Sequence, residues 1–406
     1  MTDPLRVAML APFAIHGPRG MARWRVMPLA RALAAAGHAV RVVVPPYDNP
    51  AESGSRRNEA GVDVVNVSLP RRGAETGAPA LVAALARAAA DWQPDVVHCF
   101  KPKGYSGLAA HLLARRGYRL VQDSDDWEAG WNPVAGYPSV WRRIFAWQER
   151  QGLRRTASIT VASRWLERLA IRLRGSPAGV FYLPNGVDCG CSCPGSRSGN
   201  ATPAGSQALA DAGPRVLLYT RFVETSPAAV WRVWAAVLAG NPAARLVVAG
   251  IGGAGEELAL RALAVAAGAS HSVVALGWQP AETLPGLLAA VDAALFPVAD
   301  TPLNRAKSPM RLLDALAAGV PVATQAVGEY GEYVIHGETG LLAPAGDADA
   351  LAGAVTCLLA DQSLARRLGD QAAHRTAVEH AWPRLAETAL SAYEFAITRH
   401  TSAREV

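Results

Sequence analysis

The chain has 406 residues, more than a typical single domain holds and enough for two domains of about 150–200 residues each. Half of the residues are hydrophobic and 18% are charged, a balance that buries a sizeable core and excludes a disordered or low-complexity chain. The formal charge of +6, with Arg well in excess of Lys, suits an anionic partner, although an Ala/Arg-rich coding bias yields the same surplus.

No stretch reaches the roughly 18 uninterrupted apolar residues of a membrane span. The first residues lack a basic region and an apolar signal core, so a cytosolic protein is expected. Five cysteines fit a reducing compartment. Three of them, Cys189, Cys191 and Cys193, alternate in a Gly/Ser/Pro-rich stretch. With no fourth ligand or second cluster nearby, a plain loop outweighs a metal site there.

In chain order, the apolar run 6–12 reads as a buried parallel strand, followed by the loop His16-Gly17-Pro18-Arg19-Gly20. Val26, Leu29, Ala30 and Leu33 fall at helical spacing, and the helix closes at Gly37-His38 before a strand over 39–45. This strand–loop–helix–strand unit is the building block of a doubly wound parallel sheet. The alternation continues with strands at 62–67, 95–98, 119–122 and 180–183 and helices at 81–92, 140–155 and 165–174. From 188 to 214 the composition turns to Gly, Ser, Pro and Ala without periodicity, which predicts a linker. A second series follows, with strands at 215–219, 245–249, 273–276, 293–296 and 320–323. The predicted division is therefore an N-terminal domain over 1–187, a linker over 188–214, a C-terminal domain over 215–380, and a helix and tail over 381–406. That last helix exceeds what the second sheet needs and is expected to return to the first domain.

The 304–322 segment carries the sharpest local signal. Ser308 is a good N-cap and Pro309 suits the first helical position, so a helix is predicted over 309–318, ending at Gly319 as a left-handed C′ residue. Its start would present unpaired N–H groups beside Arg305 and Lys307, an anion site suited to a diphosphate. Asp314, about one and a half turns in, could accept hydrogen bonds from ribose hydroxyls. An ordinary capped helix with two solvated basic residues explains the same pattern.

The 308–322 run, continuing through Gly328-Glu329 to Gly340-Leu341-Leu342, resembles the donor-binding half of glycosyltransferase family 4. Gly37-His38-Ala39-Val40, Asp95-Val-Val-His98, Pro184-Asn185-Gly186-Val187-Asp188 and Asp292-Ala-Ala-Leu-Phe-Pro297 extend the likeness over nearly the whole chain. The resemblance implies the GT-B fold: α/β, two Rossmann-like doubly wound domains facing a cleft, with a C-terminal helix crossing back. It implies a retaining enzyme that takes a nucleotide-diphospho-sugar as donor and needs no metal or other cofactor. On the donor side it points to Gly17 and Gly20 of the first loop, then Arg221, Arg305, Lys307 and Ser308. Pro309, Met310, Leu312 and Asp314 complete that stretch.

Three departures stand out. The family's Glu-x7-Glu pair falls here on Ala306 and Asp314. Its Gly-Arg pair reads Thr220-Arg221, and the lysine five residues on is Ser226. Lys307 or Arg305 is expected to supply the missing charge.

On the acceptor side, Asp123-Ser124-Asp125-Asp126-Trp127-Glu128 packs four carboxylates into six residues at the end of a strand. Such crowding raises pKa values unless the groups are paired, and marks a candidate site. Where similar enzymes read His-Asp, this chain has Asp125-Asp126, which with Arg221 and Lys307 are the expected catalytic residues. A carboxylate there could orient the acceptor hydroxyl or steady an oxocarbenium-like centre. A solvated or metal-binding acidic loop is the alternative, since Asp123-Ser124-Asp125 also matches the short Asp-x-Asp string. Arg19, His98, Trp127 and Glu128 are assigned to the acceptor side, His98 either facing the cleft or satisfied in the core.

The 140–155 helix mixes Trp, Phe and Arg. Because Glu149 interrupts its basic face, a domain-surface helix with its aromatics on the sheet is expected in preference to an interfacial membrane helix. Scattered basic residues argue against nucleic acid. The expected partners are the donor and a sugar, lipid-linked or small-metabolite acceptor, with peripheral membrane contact at the inner face left open. A nucleotide-sugar epimerase of the same fold and a non-catalytic nucleotide-sugar binder remain as alternatives.

Overall fold

The computed structural model describes residues 3–17, 20–70, 74–188 and 213–402. Pro18, Arg19, the three alternating cysteines and nearly all of the predicted linker lie outside the described residues. The chain divides into two compact units. One holds residues 1–186 together with 306–308 and 382–406, and the other holds 187–305 and 309–381.

The N-terminal unit is built on eight strands: β1 (Arg6–Leu10), β2 (Ala39–Val44), β3 (Arg56–Glu59), β4 (Val62–Asn66), β5 (Val96–Phe100), β6 (Leu120–Ser124), β7 (Ser158–Val161) and β8 (Val180–Tyr182). Their order is β3-β4-β2-β1-β5-β6-β7-β8, parallel except for β3. Every side chain of β1 after Arg6 is buried. Val7 and Met9 pack into one apolar layer and Ala8 and Leu10 into the other, as a parallel sheet covered on both faces requires. The order reverses between β2 and β5, so the carboxyl ends of β1, β5 and β6 border a topological switch point.

The Trp382–Ser402 helix belongs to this unit. Trp382, Leu385, Ala386, Ala389, Tyr393 and Ala396 recur at helical spacing and fill the layer under β1, β5 and β6. The Ser139–Arg155 helix buries Phe145, Gln148, Glu149 and Leu153. Its tryptophans do not lie on the sheet: Trp141 and Trp147 are exposed, and it is Phe145 that turns inward.

In the C-terminal unit β9 (Arg215–Tyr219), β10 (Arg245–Ala249), β11 (Val273–Gly277), β12 (Ala293–Phe296), β13 (Val322–Gln325) and β14 (Leu341–Ala343) form an all-parallel sheet. The order β11-β10-β9-β12-β13-β14 puts a second switch point beside the end of β9. Three strands escaped sequence reading. β3 is a charged antiparallel edge, β7 alternates polar and apolar residues over only four positions, and β14 has three residues.

Candidate functional site

On the N-terminal unit, β5 and β6 run side by side, with Phe100 opposite Asp123. The chain leaving β5 is forced into a tight shape: Lys101 has φ +48° and Gly104 φ +60°. The Ser106 hydroxyl donates to the carbonyls of Lys101 and Lys103, and the Gln148 amide holds both backbone groups of Gly104. This loop delivers two nearly buried ammonium groups to the acidic segment after β6.

Lys101 Nζ lies 2.8 Å from Asp126 Oδ2, 3.4 Å from Asp125 Oδ2 and 3.3 Å from Glu128 Oε1. Lys103 Nζ donates to Glu128 Oε2 at 2.9 Å and to Asn132 Oδ1 at 2.7 Å. Burial acts to raise Asp126, but the charge and hydrogen bond of Lys101, with Lys307 and Lys103 behind, hold it below the usual carboxylate range. Asp125 behaves oppositely. Burial pushes it up to about 6 against the opposing charge of Lys101, and the Asp126 and Asp123 carboxylates add to the rise. Its Oδ1 is buried without a hydrogen-bond partner. Two adjacent carboxyls therefore hold distinct protonation preferences, which is the arrangement acid–base chemistry uses.

The other two acidic residues have structural ties. Asp123 forms a fork with Arg25, at 2.7 and 2.8 Å, and also accepts from Thr160 at 2.6 Å. With both oxygens so engaged, Asp123-Ser124-Asp125 does not present a pair of metal ligands. Among the described residues no group of three or more His, Cys, Asp or Glu is placed to hold a metal ion. Glu128 is 2% exposed and bound to Lys103, so it supports the loop and does not offer an open contact. Glu149, which sequence reading took for an interruption of a surface, turns inward and accepts from the N–H groups of Glu128 and Ala129. Burial, then the Glu128 and Asp126 charges, push it up to about 7.

Trp127 is partly buried and packs at 5.1 Å against Trp165. His98 resolves to the core alternative: it is fully buried, with Nδ1 2.9 Å from the Tyr393 hydroxyl and Nε2 3.1 Å from Thr160 Oγ1. Burial lowers its pKa to about 4, so it is neutral at physiological pH and does not reach an acceptor. In the first loop, a Cβ on Gly17 would sit 2.8 Å from the Asp48 carboxylate, and one on Gly20 2.5 Å from the Trp24 ring. These glycines make room for the protein's own side chains.

The expected Ser308 cap is corrected by the structure. The helix runs Met310–Ala317 with Pro309 as its N-cap and no side-chain cap. Ser308 Oγ instead accepts from the Asn185 N–H at 3.0 Å, and Asn185 Nδ2 donates to the Ser308 carbonyl at 2.9 Å. A backbone-to-side-chain bond outside the helix has taken the hydroxyl that a cap would use. Residues 306–308 accordingly belong to the N-terminal unit. Ala306 is fully buried in an apolar cluster with Leu153, Ile159 and Leu166, and Lys307 Nζ lies 4.9 Å from the centre of the Trp131 ring. Arg305, in the other unit, forks onto Asp300 at 2.5 and 2.7 Å. The C-terminal end of the helix is as expected, with Gly319 at φ +71°.

On the C-terminal unit the chain leaves β9 through Thr220-Arg221-Phe222. Phe222 has φ +58°, and its N–H donates to Thr220 Oγ1 at 2.8 Å. Gly250 crosses so near that a Cβ would lie 1.8 Å from the Thr220 carbonyl oxygen. The strained turn presents Arg221 exposed at the strand's end. The Arg311 guanidinium lies 5.2 Å from the centre of the Tyr219 ring. Asp314 is partly buried, and burial pushes it up to about 6 against the charge of Arg311. Leu312 is in the core and Met310 packs partly against it. Ser226, where the family's lysine is missing, caps the Pro227–Gly240 helix by accepting from the Ala229 N–H.

Residues 20–186 match the glycosyl transferase 4-like domain, and residues 209–375 match the glycosyl transferases group 1 domain. The chain belongs to the family 4-type, group 1 glycosyltransferases. Among relatives of this glycosyltransferase, a 2-deoxystreptamine N-acetyl-D-glucosaminyltransferase of Streptomyces fradiae is 28% identical over 68% of the chain and 65% of its own length. A D-inositol 3-phosphate glycosyltransferase of Nocardia farcinica is 31% identical over 55% of the chain and 49% of its own length. The chain thus spans less than two thirds of these relatives. In fold it is similar to sucrose-phosphate synthase from Thermosynechococcus elongatus, with TM-score 0.72 and 23% identity over 95% of this chain and 98% of that one. The Anabaena protein HepE in complex with UDP-glucose superposes with TM-score 0.69 and 17% identity over 95% and 100% of the two chains. These likenesses establish the GT-B fold.

Lys101, Lys103, Arg25 and Arg311 escaped sequence reading, and Glu149 was placed on a surface where it in fact turns inward. Lys101-Pro102-Lys103 was the one available signal, two cations at the end of a central strand, but only the β5–β6 pairing sets it against the acidic loop.

Proposed function

We propose that this glycosyltransferase moves a sugar from a nucleotide-diphospho-sugar to an acceptor hydroxyl, without a metal ion and with retention of anomeric configuration. Asp125 carries the reading: it sits at the carboxyl end of a central strand, with one buried oxygen lacking a protein partner and a pKa pushed up to about 6. Such a carboxyl can take the acceptor's proton or steady positive charge at the reacting sugar. Asp126, kept ionised by Lys101, would orient the acceptor. On the C-terminal unit Arg221 would neutralise the diphosphate leaving group, and Asp314 would accept from the ribose hydroxyls. Retention rests on the family resemblance. The transferase activity of the S. fradiae relative and the UDP-glucose bound by HepE support the donor class.

The test is nucleoside diphosphate release from UDP-, GDP- and ADP-sugars with a panel of hydroxylic acceptors, with and without a chelator. Asp125→Asn should lower kcat/KM at least about a hundredfold, with donor binding retained in calorimetry. Conversion of donor without acceptor would identify an epimerase instead. Nucleotide binding with no diphosphate release would favour a non-catalytic binder, the reading that Ala306 and Ser226 motivate.

A further inference from the structure

The paired register of β5 and β6 ends with Phe100 opposite Asp123. Beyond it one chain carries Lys101 and Lys103, and the other carries Asp125, Asp126 and Glu128. Two adjacent residues of the Ser139–Arg155 helix hold these two stretches. Gln148 accepts from the Gly104 N–H at 3.0 Å and donates to the Gly104 carbonyl at 3.2 Å. Glu149 accepts from the Glu128 N–H at 2.8 Å and from the Ala129 N–H at 3.0 Å. Successive side chains on a helix diverge by about 100°, so neighbours serve two different segments from one support. Both are nearly buried, 6% and 4% exposed, and the buried Phe145 and Leu153 anchor their helix. The first grip is close-fitting: a Cβ on Gly107 would lie 3.3 Å from Gln148 Nε2.

The second grip replaces a missing cap. The Glu128–Val134 helix opens at Trp127, which offers no side-chain cap, and Glu149 reaches in from another helix to satisfy its first two N–H groups. A carboxylate there also meets the positive end of that helix. Between the two grips Lys101 Nζ stands 2.8 Å from Asp126 Oδ2 and 3.4 Å from Asp125 Oδ2. A buried ion pair loses strength quickly when a loop slackens, because its energy falls with distance and with the entry of water. We propose that Gln148 and Glu149 form a yoke, a pair of positioning residues that fixes the Lys101 ammonium against the Asp125 and Asp126 carboxyls. Neither residue needs to touch substrate; each acts through the backbone of the loop it holds. The effect on turnover rests on the reading of Asp125 as the reacting carboxyl, whereas the coupling of Lys101 to Asp125 does not.

The experiment uses Gln148→Asn and Glu149→Asp, which keep the functional group and the charge but shorten the reach by a methylene. The Asp125 titration is followed by carboxyl-carbon NMR of the aspartate-labelled full chain, its signal assigned by its loss in Asp125→Asn. With the yoke intact, Lys101→Met should raise that titration by at least about one unit. On either shortened background the same substitution should raise it by less than about half as much, since the two contacts are coupled. Melting curves separate a slack loop from an unfolded chain, and Gln148→Met, which nearly keeps the volume, replaces Gln148→Asn should that variant not fold. In turnover each shortened variant should lower kcat at least about tenfold, with nucleoside diphosphate binding in calorimetry unchanged. A full increment on either background would overturn the proposal. A wild-type kcat in both shortened variants, with Asp125→Asn impaired, would do so as well. If Asp125→Asn keeps its kcat/KM, the catalytic reading of Asp125 fails instead, and the titration cycle still judges the yoke.

Discussion

The chemistry of the acidic loop depends on Lys101. Its ammonium faces Asp125, Asp126 and Glu128, while Asp123 is held apart by Arg25. Because the Lys101 charge lowers the Asp125 pKa, removing it must raise that pKa further above about 6. If Asp125 acts ionised, Lys101→Met should move the acidic limb of the kcat/KM–pH profile to higher pH by at least about one unit. Lys101→Arg should restore most of the shift, and an unmoved limb would exclude Asp125 as the titrating group. Lys307 belongs to the same network through Asp126 and Trp131. Lys307→Ala should lower kcat/KM at least about tenfold, equivalent to about 1.4 kcal/mol, if it contacts the diphosphate. A loss confined to the acceptor KM would assign it to the acidic loop instead. Arg25→Met leaves Asp123 buried and unpaired, which should cost about 3–5 kcal/mol in urea unfolding.

At the scale of elements, Tyr393 ties the C-terminal helix to the sheet through His98. Tyr393→Phe leaves a buried ring nitrogen unsatisfied and should cost about 1–3 kcal/mol of stability, with turnover little changed because His98 lies in the core. The cap of the Met310–Ala317 helix, not the helix itself, is the instructive miss. Ser308-Pro309 has the composition of a helix start, and Gly319 ends the helix as expected. Propensity is local, however, and the Asn185 backbone, distant in sequence, claimed the serine hydroxyl. Glu149 is the converse case: an acidic residue on an amphipathic stretch reads as solvated until the two N–H groups it accepts from are known.

For the whole molecule, the Trp382–Ser402 helix completes the apolar layer beneath β1, β5 and β6. Truncation before Trp382 should expose that layer and leave the N-terminal unit aggregated or molten by near-ultraviolet circular dichroism. A truncated chain that melts cooperatively at the wild-type temperature would contradict this. Two features were already legible in the amino-acid order: apolar runs of strand length alternating with helical spacing, and the motifs of family 4 in sequence. Together they determined two parallel α/β sheets and the family, because strand burial and helix periodicity are written in neighbouring residues. Asp125 and Asp126 were also visible as an acidic cluster, and Asp314 as a carboxylate within the motif. Only the tertiary structure decided which carboxylates are spent and which are poised. That outcome depends on Arg25, Lys101 and Lys103, which reach the loop from other elements, and charge pairing between distant residues leaves no periodic trace in sequence.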